Sequence, residues 1–555
     1  MNRLLTLFLL STLFIVGCSQ VDAGFVAEPP QFRDVADEVG LTFTQSAFRW
    51  GTSGDPVAMM GGGVCWLDYD GDGWQDLYVV NSYAELEAGR WQTEEGGLPT
   101  SALFRNVEGQ FTDVSAESGT GLAMRGNGCI SADFNNDNHP DLYITTARFN
   151  VLLWNNGDGT FEDGGEAAGI DWYGWQTAAS AGDLNGDGWL DLFVAGYVDV
   201  NNAIENSTMG FPNTKYGLRD LLFISNGLDE NGYATFREVG EAVGLESAEF
   251  EYGLGAVLSD MDGDRDLDLF IANDTNPNRL YANEPLENDP EGIGFRFVEV
   301  GEGPAVRDIN SGMGVAGADY DNNGAPDLFI SNMGPQTHSV YRNLADVNTP
   351  QYANVTDEIG VEAFGVDWTG WGTAWADFDL DSDLDLFVAH GAIPVVDLDA
   401  DRQTSHLYQN LTAQGEIGRF KNATTDANLG NLGPYLARGS AVADYDNDGD
   451  LDIAINSIGG ALALLHNDVA GGNWLMVELE DPAIGAVVTA VLADGTELRR
   501  EILAGSSYLS ADEQRSHFGL GGNRYVKEVR VQWLDGSERV KRNVKVNQVL
   551  EVERP

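Results

Sequence analysis

The residues best placed to do chemistry are aspartates, set in seven loops of one spacing. The first loop reads Asp68-Tyr-Asp70-Gly-Asp72-Gly-Trp74-Gln-Asp76 and runs straight into Leu77-Tyr-Val-Val80. Six more begin at Asp133, Asp183, Asp260, Asp319, Asp377 and Asp444. Carboxylates or amides fall at positions 1, 3, 5 and 9, often with Gly at position 6. Such spacing suits a hard cation with many oxygen ligands, because alternate side chains turn inward and position 7 offers its carbonyl. The expected ligands in loop one are Asp68, Asp70, Asp72, the Trp74 carbonyl and Asp76. In loop two they are Asp133, Asn135, Asp137 and Asp141, and in loop three Asp183, Asn185, Asp187, the Trp189 carbonyl and Asp191. Loop four offers Asp260, Asp262, Asp264 and Asp268, and loop five Asp319, Asp321, Asn323 and Asp327. Loop six offers Asp377, Asp379, Asp381 and Asp385, and loop seven Asp444, Asp446, Asp448 and Asp452. The cofactor expected is calcium, up to seven ions in a structural role. Asn138 with His139, Arg265 and Ser382 stand at or beside position 6 of loops two, four and six, which predicts weaker sites there.

An EF-hand is excluded. Position 12, where that motif needs a bidentate Glu, holds Val79, Ile144, Val194, Ile271, Ile330, Val388 and Ile455. The flanks read as strands, not as amphipathic helices.

The elements around the loops repeat as well. A Gly/Ala-rich strand precedes each loop, as in Gly61-Gly-Gly-Val-Cys-Trp-Leu-Asp68, and an Asp-Leu-Phe-Val type strand follows it. A third strand reads Leu103-Phe-Arg-Asn106 or Leu407-Tyr-Gln-Asn410, and a fourth reads Phe111-Thr-Asp-Val114 or Phe297-Val-Glu-Val300. Four short strands per period predict propeller blades, seven in all. Phe32-Arg-Asp-Val35 carries the fourth-strand pattern ahead of the first loop, and the seventh period ends near Leu464-Leu-His-Asn467. The N-terminal piece is therefore expected to complete the last blade and close the ring.

These loops and strands resemble FG-GAP/VCBS repeats, the blades of integrin α-subunit propellers. The stretch Asn473-Trp-Leu-Met-Val, Ile484-Gly-Ala, Gly505-Ser-Ser-Tyr-Leu-Ser510, His517-Phe-Gly-Leu520 and Trp533-Leu-Asp-Gly536 is similar to the ASPIC/UnbV domain. Together, over about 30–553, they resemble the cartilage acidic protein family and its bacterial relatives. That resemblance implies an all-β, integrin α-like seven-bladed propeller at 31–470 and a small β domain at 473–553. It does not imply a settled activity.

The 555 residues carry a formal net charge of -58. Residues 473–555 hold 11 Lys+Arg against 13 Asp+Glu, which leaves 19 against 75 for the first 472. Such an acidic chain excludes a nucleic-acid partner held through a basic surface. At the N-terminus Arg3, an apolar run from Leu4 to Val16 and Ile15-Val16-Gly17-Cys18 resemble a bacterial lipoprotein signal, with Cys18 as the lipidated residue and 19–30 as a linker. Ser19 favours an outer-membrane or cell-surface lipoprotein; a secreted or periplasmic protein is the alternative. Cys65 and Cys129 precede the first two loops. A disulfide between them is compatible with an oxidising compartment, but two small buried thiols on neighbouring strands is the favoured reading.

If the Asp loops share one face, the connections on the opposite face are free to bind partners. They include the insertions 81–100, 197–219 and 390–405 and the aromatics Trp172, Trp175, Trp368 and Trp371, which suit a glycan or peptide. Filling gaps between wide blades is the blander and favoured reading of those tryptophans. Catalytic motifs are thin. The six His, at 139, 338, 390, 406, 466 and 517, make no metalloprotease motif, and Gly505-Ser-Ser-Tyr is not a nucleophile elbow. Ser506, Ser507, Tyr508, Asp512, Arg515 and His517 read as an ordinary strand-loop-strand surface rather than a pocket. The expected function is a non-enzymatic binding or adhesion module for a protein or glycan. The alternatives are a calcium-dependent enzyme acting on polysaccharide and a structural subunit of an envelope complex.

Overall fold

The computed structural model describes residue 25 and residues 27–230, 232–245, 251–286, 289–300, 306–345, 349–361, 364–480 and 483–555. The segment expected to be a lipoprotein signal, with Cys18, lies outside them. Seven four-stranded antiparallel sheets follow one another along the chain. Blade one is Val64–Leu67, Asp76–Val79, Ala102–Val107 and Gln110–Asp113, hydrogen-bonded in that order. The inner strands of blades two to seven are Gly126–Ala132, Gln176–Gly182, Gly253–Ser259, Gly312–Ala318, Gly370–Ala376 and Ala437–Ala443. Each inner strand lies against the next, and the seventh lies against the first, so the ring closes. Phe32–Asp34 is the outer strand of blade seven, with Phe32 opposite Asn467.

Strand composition follows position in the blade. The second strands, such as Asp327–Asn332 and Asp385–His390, are buried along their whole length. A strand sandwiched between neighbouring blades has no solvent face, so it reads as a continuous apolar run rather than an alternation. The inner strands carry a bulge at the same place in several blades, for example between Gly126 and Cys129, Gly312 and Val315, and Gly370 and Thr373. A bulge frees backbone groups from the ladder, and here they turn toward the axis.

The C-terminal residues form two packed sheets. One contains Asn473–Leu479, Ser516–Gly521 and Val549–Val552; the other contains Val487–Val491, Glu497–Glu501, Tyr525–Gln532 and Glu538–Lys545. Their shared core includes Leu475, Val488, Leu498, Phe518, Val529 and Trp533. This unit is not a mere appendage. Its segment 501–515 leaves the sandwich and fills the propeller axis. Among the described residues no helix is long and apolar enough to cross a membrane.

Candidate metal loops and the two faces of the ring

All seven Asp loops share one backbone. Position 4 has positive φ in each: Gly71, Asn136, Gly186, Gly263, Asn322, Leu380 and Asn447. Position 6 does too, including the non-glycine residues Asn138, Arg265 and Ser382, while loop five has Gly324. This double left-handed turn favours Gly or Asn, and Arg265 and Ser382 adopt it all the same. Position 1 accepts backbone N–H groups from positions 5 and 6 in six of the loops, whereas in loop four Asp260 accepts from Gly263 N at position 4, at 2.8 Å. In loop one the bonds are Asp72 N to Asp68 at 3.0 Å and Gly73 N to Asp68 at 2.8 Å.

Position 9 has a second task that the spacing did not reveal. Asp76 accepts from Tyr69 N at position 2 and from Asn106 N on the third strand, at 3.1 and 2.6 Å. The Asn106 side chain in turn donates to the Tyr445 carbonyl in the loop of the preceding blade, at 2.7 Å. Asn155, Asn283, Asn343, Asn410 and Asn467 repeat this stitch onto Tyr69, Leu184, Met261, Tyr320 and Phe378. The aspartate thus pins its turn to its own blade, and the asparagine pins the blade to its neighbour.

The structure brings the expected carboxylates together. Ligand oxygens of Asp68, Asp70 and Asp76 lie within 4.8 Å of one another, as do those of Asp260, Asp262 and Asp264, of Asp319, Asp321 and Asp327, and of Asp377, Asp379 and Asp381. In loop seven the set is Asp446, Asp452 and His466. Burial, with crowding by like charges, pushes Asp76 and Asp268 up to about 9 and Asp379 up to about 8. Asp444 rises to about 9 through burial and the nearby Glu513. Asp70, Asp379 and Asp446 at position 3, and Asp385 and Asp452 at position 9, each keep a buried oxygen without a hydrogen-bond partner. Unpartnered, crowded, buried carboxylate oxygens are what a multi-oxygen cation site requires, so the residues fit calcium.

The third-strand residue just before the stitching Asn was missed from sequence, and it reaches position 3. Arg105 contacts Asp70 at 2.6 Å and Asp72 at 3.1 Å. Gln409 donates to Asp379. His466 lies 3.2 Å from Asp452 and 3.6 Å from Asp446, and its hydrogen bond to Asp452 pushes it up to about 9. Loop one therefore carries a positive side chain, Arg105, beside the expected ion site.

The axis holds the largest departure from the sequence reading. Residues 501–515 touch the inner strand of every blade. Ala511 pairs with Val64 at 3.1 Å, and Leu509 accepts from Cys129 at 3.2 Å. Ala504 accepts from Ala181 at 3.0 Å, and Glu501 accepts from Asp260 N at 2.9 Å. Ser507 exchanges backbone bonds with Val315, and its hydroxyl takes Thr373 N and donates to the Ser440 carbonyl. Glu513 pairs with Val442. The inner-strand glycines make room for this segment: a Cβ on Gly63 would stand 2.0 Å from the Leu509 carbonyl oxygen, and one on Gly439 2.5 Å from Ser510 Oγ. So the cluster around Ser507 and Tyr508 is not the solvent-facing surface expected of it.

At the end of the axis away from the Asp loops, Tyr508 is fully buried. Its hydroxyl donates to the Met60 carbonyl at 3.1 Å, and its ring meets Trp371 at 4.8 Å. Arg438, also fully buried, stacks on Trp371 at 4.0 Å and donates to the Met59 carbonyl. Trp175 and Trp371 are thus core residues, 1% and 0% exposed, and not part of a ligand face. Trp368 is half-buried against His390 and His406. Trp172 is 40% exposed under Arg219, whose guanidinium lies 4.9 Å from its ring. The exposed aromatics of this face include the pair Phe149 and Tyr173, 55% and 54% exposed with ring centroids 5.0 Å apart, of which Phe149 was not expected from sequence. Cys65 and Cys129 are joined as a disulfide, which corrects the expectation of two thiols. The inner strands of blades one and two lie side by side, and that adjacency brings the two sulfurs together.

These features define a class: a ring of FG-GAP-like repeats followed by an ASPIC and UnbV domain. The FG-GAP-like repeat pattern matches residues 68–144, 133–194 and 260–330, and the ASPIC and UnbV pattern matches residues 477–555. The chain is similar to cartilage acidic protein 1. It is 27% identical to the Xenopus tropicalis protein over 396 residues, covering 67% of this chain and 54% of that one. It is 27% identical to the Homo sapiens protein over 343 residues, covering 58% and 47%. The chain thus spans about half the length of the curated relatives it matches. Among solved structures, an Agrocybe aegerita lectin that recognises non-reducing terminal N-acetylglucosamine matches with a TM-score of 0.39 and 16% identity, over 65% of this chain and 79% of that one. The V. cholerae biofilm matrix protein Bap1 matches with a TM-score of 0.29 and 12% identity, over 91% and 76%. Likenesses this weak carry no argument.

Proposed function

We propose that this chain is an exported, calcium-binding propeller that acts as a non-enzymatic binding module. Cys18 is its lipid anchor, and a protein or glycan is its ligand. The observation that carries the reading is the division of labour between the two faces. One face is committed to the Asp turns, where crowded carboxylates with unpartnered oxygens suit calcium. Bound there, calcium supplies charge neutralisation that sets the turns; Asp68, Asp70, Asp72 and the Trp74 carbonyl, with their equivalents, would hold it. The axis is filled by 501–515. What remains for a partner is the opposite face, where Phe149, Tyr173 and Trp172 stand exposed. Flat aromatic rings beside polar side chains recognise sugar faces and peptide side chains.

The test is a glycan array and a membrane-protein pull-down with the full mature chain, run beside a turnover assay on neutral and acidic polysaccharides. Binding without cleavage, lost in a Phe149→Ala, Trp172→Ala, Tyr173→Ala triple variant, is expected. Binding unchanged in that variant would remove the aromatic face from the account. New reducing or unsaturated ends would make the protein an enzyme.

A further inference from the structure

The C-terminal sandwich sits on the face of the ring that carries the Asp loops, and it does not cover them evenly. It touches loop seven, where Arg515 bonds Asn447 at 2.8 Å and His517 lies 2.9 Å from the Gly449 carbonyl. Loop six is the most enclosed. The Gly521 N–H donates to the Leu380 carbonyl at 2.8 Å. The C-terminal backbone comes so close that a Cβ on Gly472 would stand 2.7 Å from Leu380 Cβ, and one on Gly519 would stand 2.0 Å from Asp377 Oδ2. From the other side, the blade itself brings Gln409 to Asp379, Ala413 N to Asp383, and Gln414 to Asp381 at 3.0 Å.

Exposure records the result. In loops one to four positions 4, 5 and 6 are all exposed, whereas in loop six Leu380 is buried and Asp381 and Ser382 are half-buried. Asp377, Asp379 and Asp385, expected ligands of loop six, are at most 1% exposed. Leu380 is itself a departure from the repeat. Position 4 is Gly or Asn in the other loops, and a leucine at φ 58° is disfavoured. Its side chain, 2% exposed, is packed beneath Gly472. Burial pushes the Arg500 guanidinium down, and the charges of Asp377, Asp319 and Asp383 oppose that. The sandwich thus also brings a positive group to a loop with aspartate at 377, 379, 381, 383 and 385.

We propose that the C-terminal sandwich is a lid over loop six, which makes that loop an enclosed, slowly exchanging site while loops one to four stay open to solvent. This lid role rests on the calcium reading proposed above and adds a division among the seven loops. Release from loop six waits on the Gly521–Leu380 contact, which must open first as a local unfolding event. The dependence is mutual: whatever the lid contributes to holding the ion, the ion contributes equally to holding the lid.

The experiment loads the full mature chain with radioactive calcium, counts the bound ions, adds a large excess of unlabelled calcium and follows the retained label over time. Two classes are expected: a fast one from the open loops and one at least about tenfold slower, because a packed contact must open. Asp381→Ala should remove the slow class and leave the fast one, and Asp187→Ala in loop three should lower only the fast count. Leu380→Gly keeps the turn, since loops one, three and four have Gly at that position, and takes away the side chain under the lid. It should keep the number of bound ions and turn the slow class fast. That variant keeps the test decisive if Asp381→Ala fails to fold. A single fast phase from a chain that binds several ions, a slow class that survives Asp381→Ala, or one unchanged in Leu380→Gly would overturn the lid and leave the calcium reading standing. A chain that binds no calcium would overturn both.

Discussion

Tyr508 gives the sharpest test of how the two parts of the chain depend on each other. It belongs to the C-terminal unit by sequence, yet its side chain lies in the apolar cluster that closes the propeller axis, beside Met59, Trp175, Trp371 and Leu436. Replacing it with Ala empties a fully buried aromatic site, which costs about 3–5 kcal/mol for large-to-small changes of this kind. It also removes the edge-on contact with Trp371 and leaves the Met60 carbonyl without its donor, and each of those adds about 1 kcal/mol. The expected loss is about 5–7 kcal/mol for Tyr508→Ala and about 1 kcal/mol for Tyr508→Phe, which keeps the ring. The assay is calorimetry and urea unfolding of the full chain in calcium, followed by tryptophan fluorescence and far-UV circular dichroism. Because the side chain bridges both parts, the whole transition should move down together. A separate, unshifted propeller transition, or a loss below about 1 kcal/mol, would refute the idea that 501–515 is a structural part of the ring.

Three further outcomes follow from named contacts. Removing the Cys65–Cys129 disulfide by a double Ala substitution frees a loop with a sequence separation of 64 and should cost about 4 kcal/mol on chain-entropy grounds, read as a lower urea midpoint relative to the oxidised wild type. Asn343→Ala leaves the buried Met261 carbonyl without its side-chain donor, while the Pro326 carbonyl keeps the Tyr352 hydroxyl, and should cost about 1–3 kcal/mol in the same assay. The buried trio His338, His390 and His406 makes the fold acid-sensitive. Burial pushes His338 down to about 3 and His406 down to about 4, so the unfolded chain takes up their protons first. Their contribution is fully present above the unfolded histidine value near 6.5 and is lost as pH falls through the folded values. For His406 alone the loss by pH 4 is on the order of 3 kcal/mol, and His406→Gln should flatten the stability-pH curve between those limits.

The Asp loops, the four-strand period and ring closure through Phe32–Asp34 were legible because each is a local spacing that recurs. A ligand spacing, a strand's burial and a turn's chirality are all written within about ten residues. The axial segment was not legible, because its partners are far away in the chain: Ser510 Oγ bonds Val64 N across 446 residues. A signal was nonetheless present. Gly63, Gly128 and Gly439 are smaller than an empty axis needs, and each would collide with Leu509 or Ser510 if it carried a Cβ. The tryptophans misled for a related reason. Trp172 and Trp175 sit three residues apart in one connection, yet one lies in solvent and the other against Tyr197. Composition alone does not tell which way a loop turns. Arg105, Gln409 and His466 went unread because they approach the loops from the third strand, outside the nine-residue spacing.

On the proposed function the aspartate turns hold calcium and the ring depends on it. The most direct measurement is calcium titration of metal-stripped full-length protein, with bound metal counted and the melting temperature followed at each point. Each occupied site should add about 2.7 kcal/mol once calcium reaches a hundred times its dissociation constant. Several equivalents should therefore bind, and the melting temperature should climb with them. A chain that binds less than one calcium, or melts at the same temperature in chelator and in excess calcium, would contradict the account.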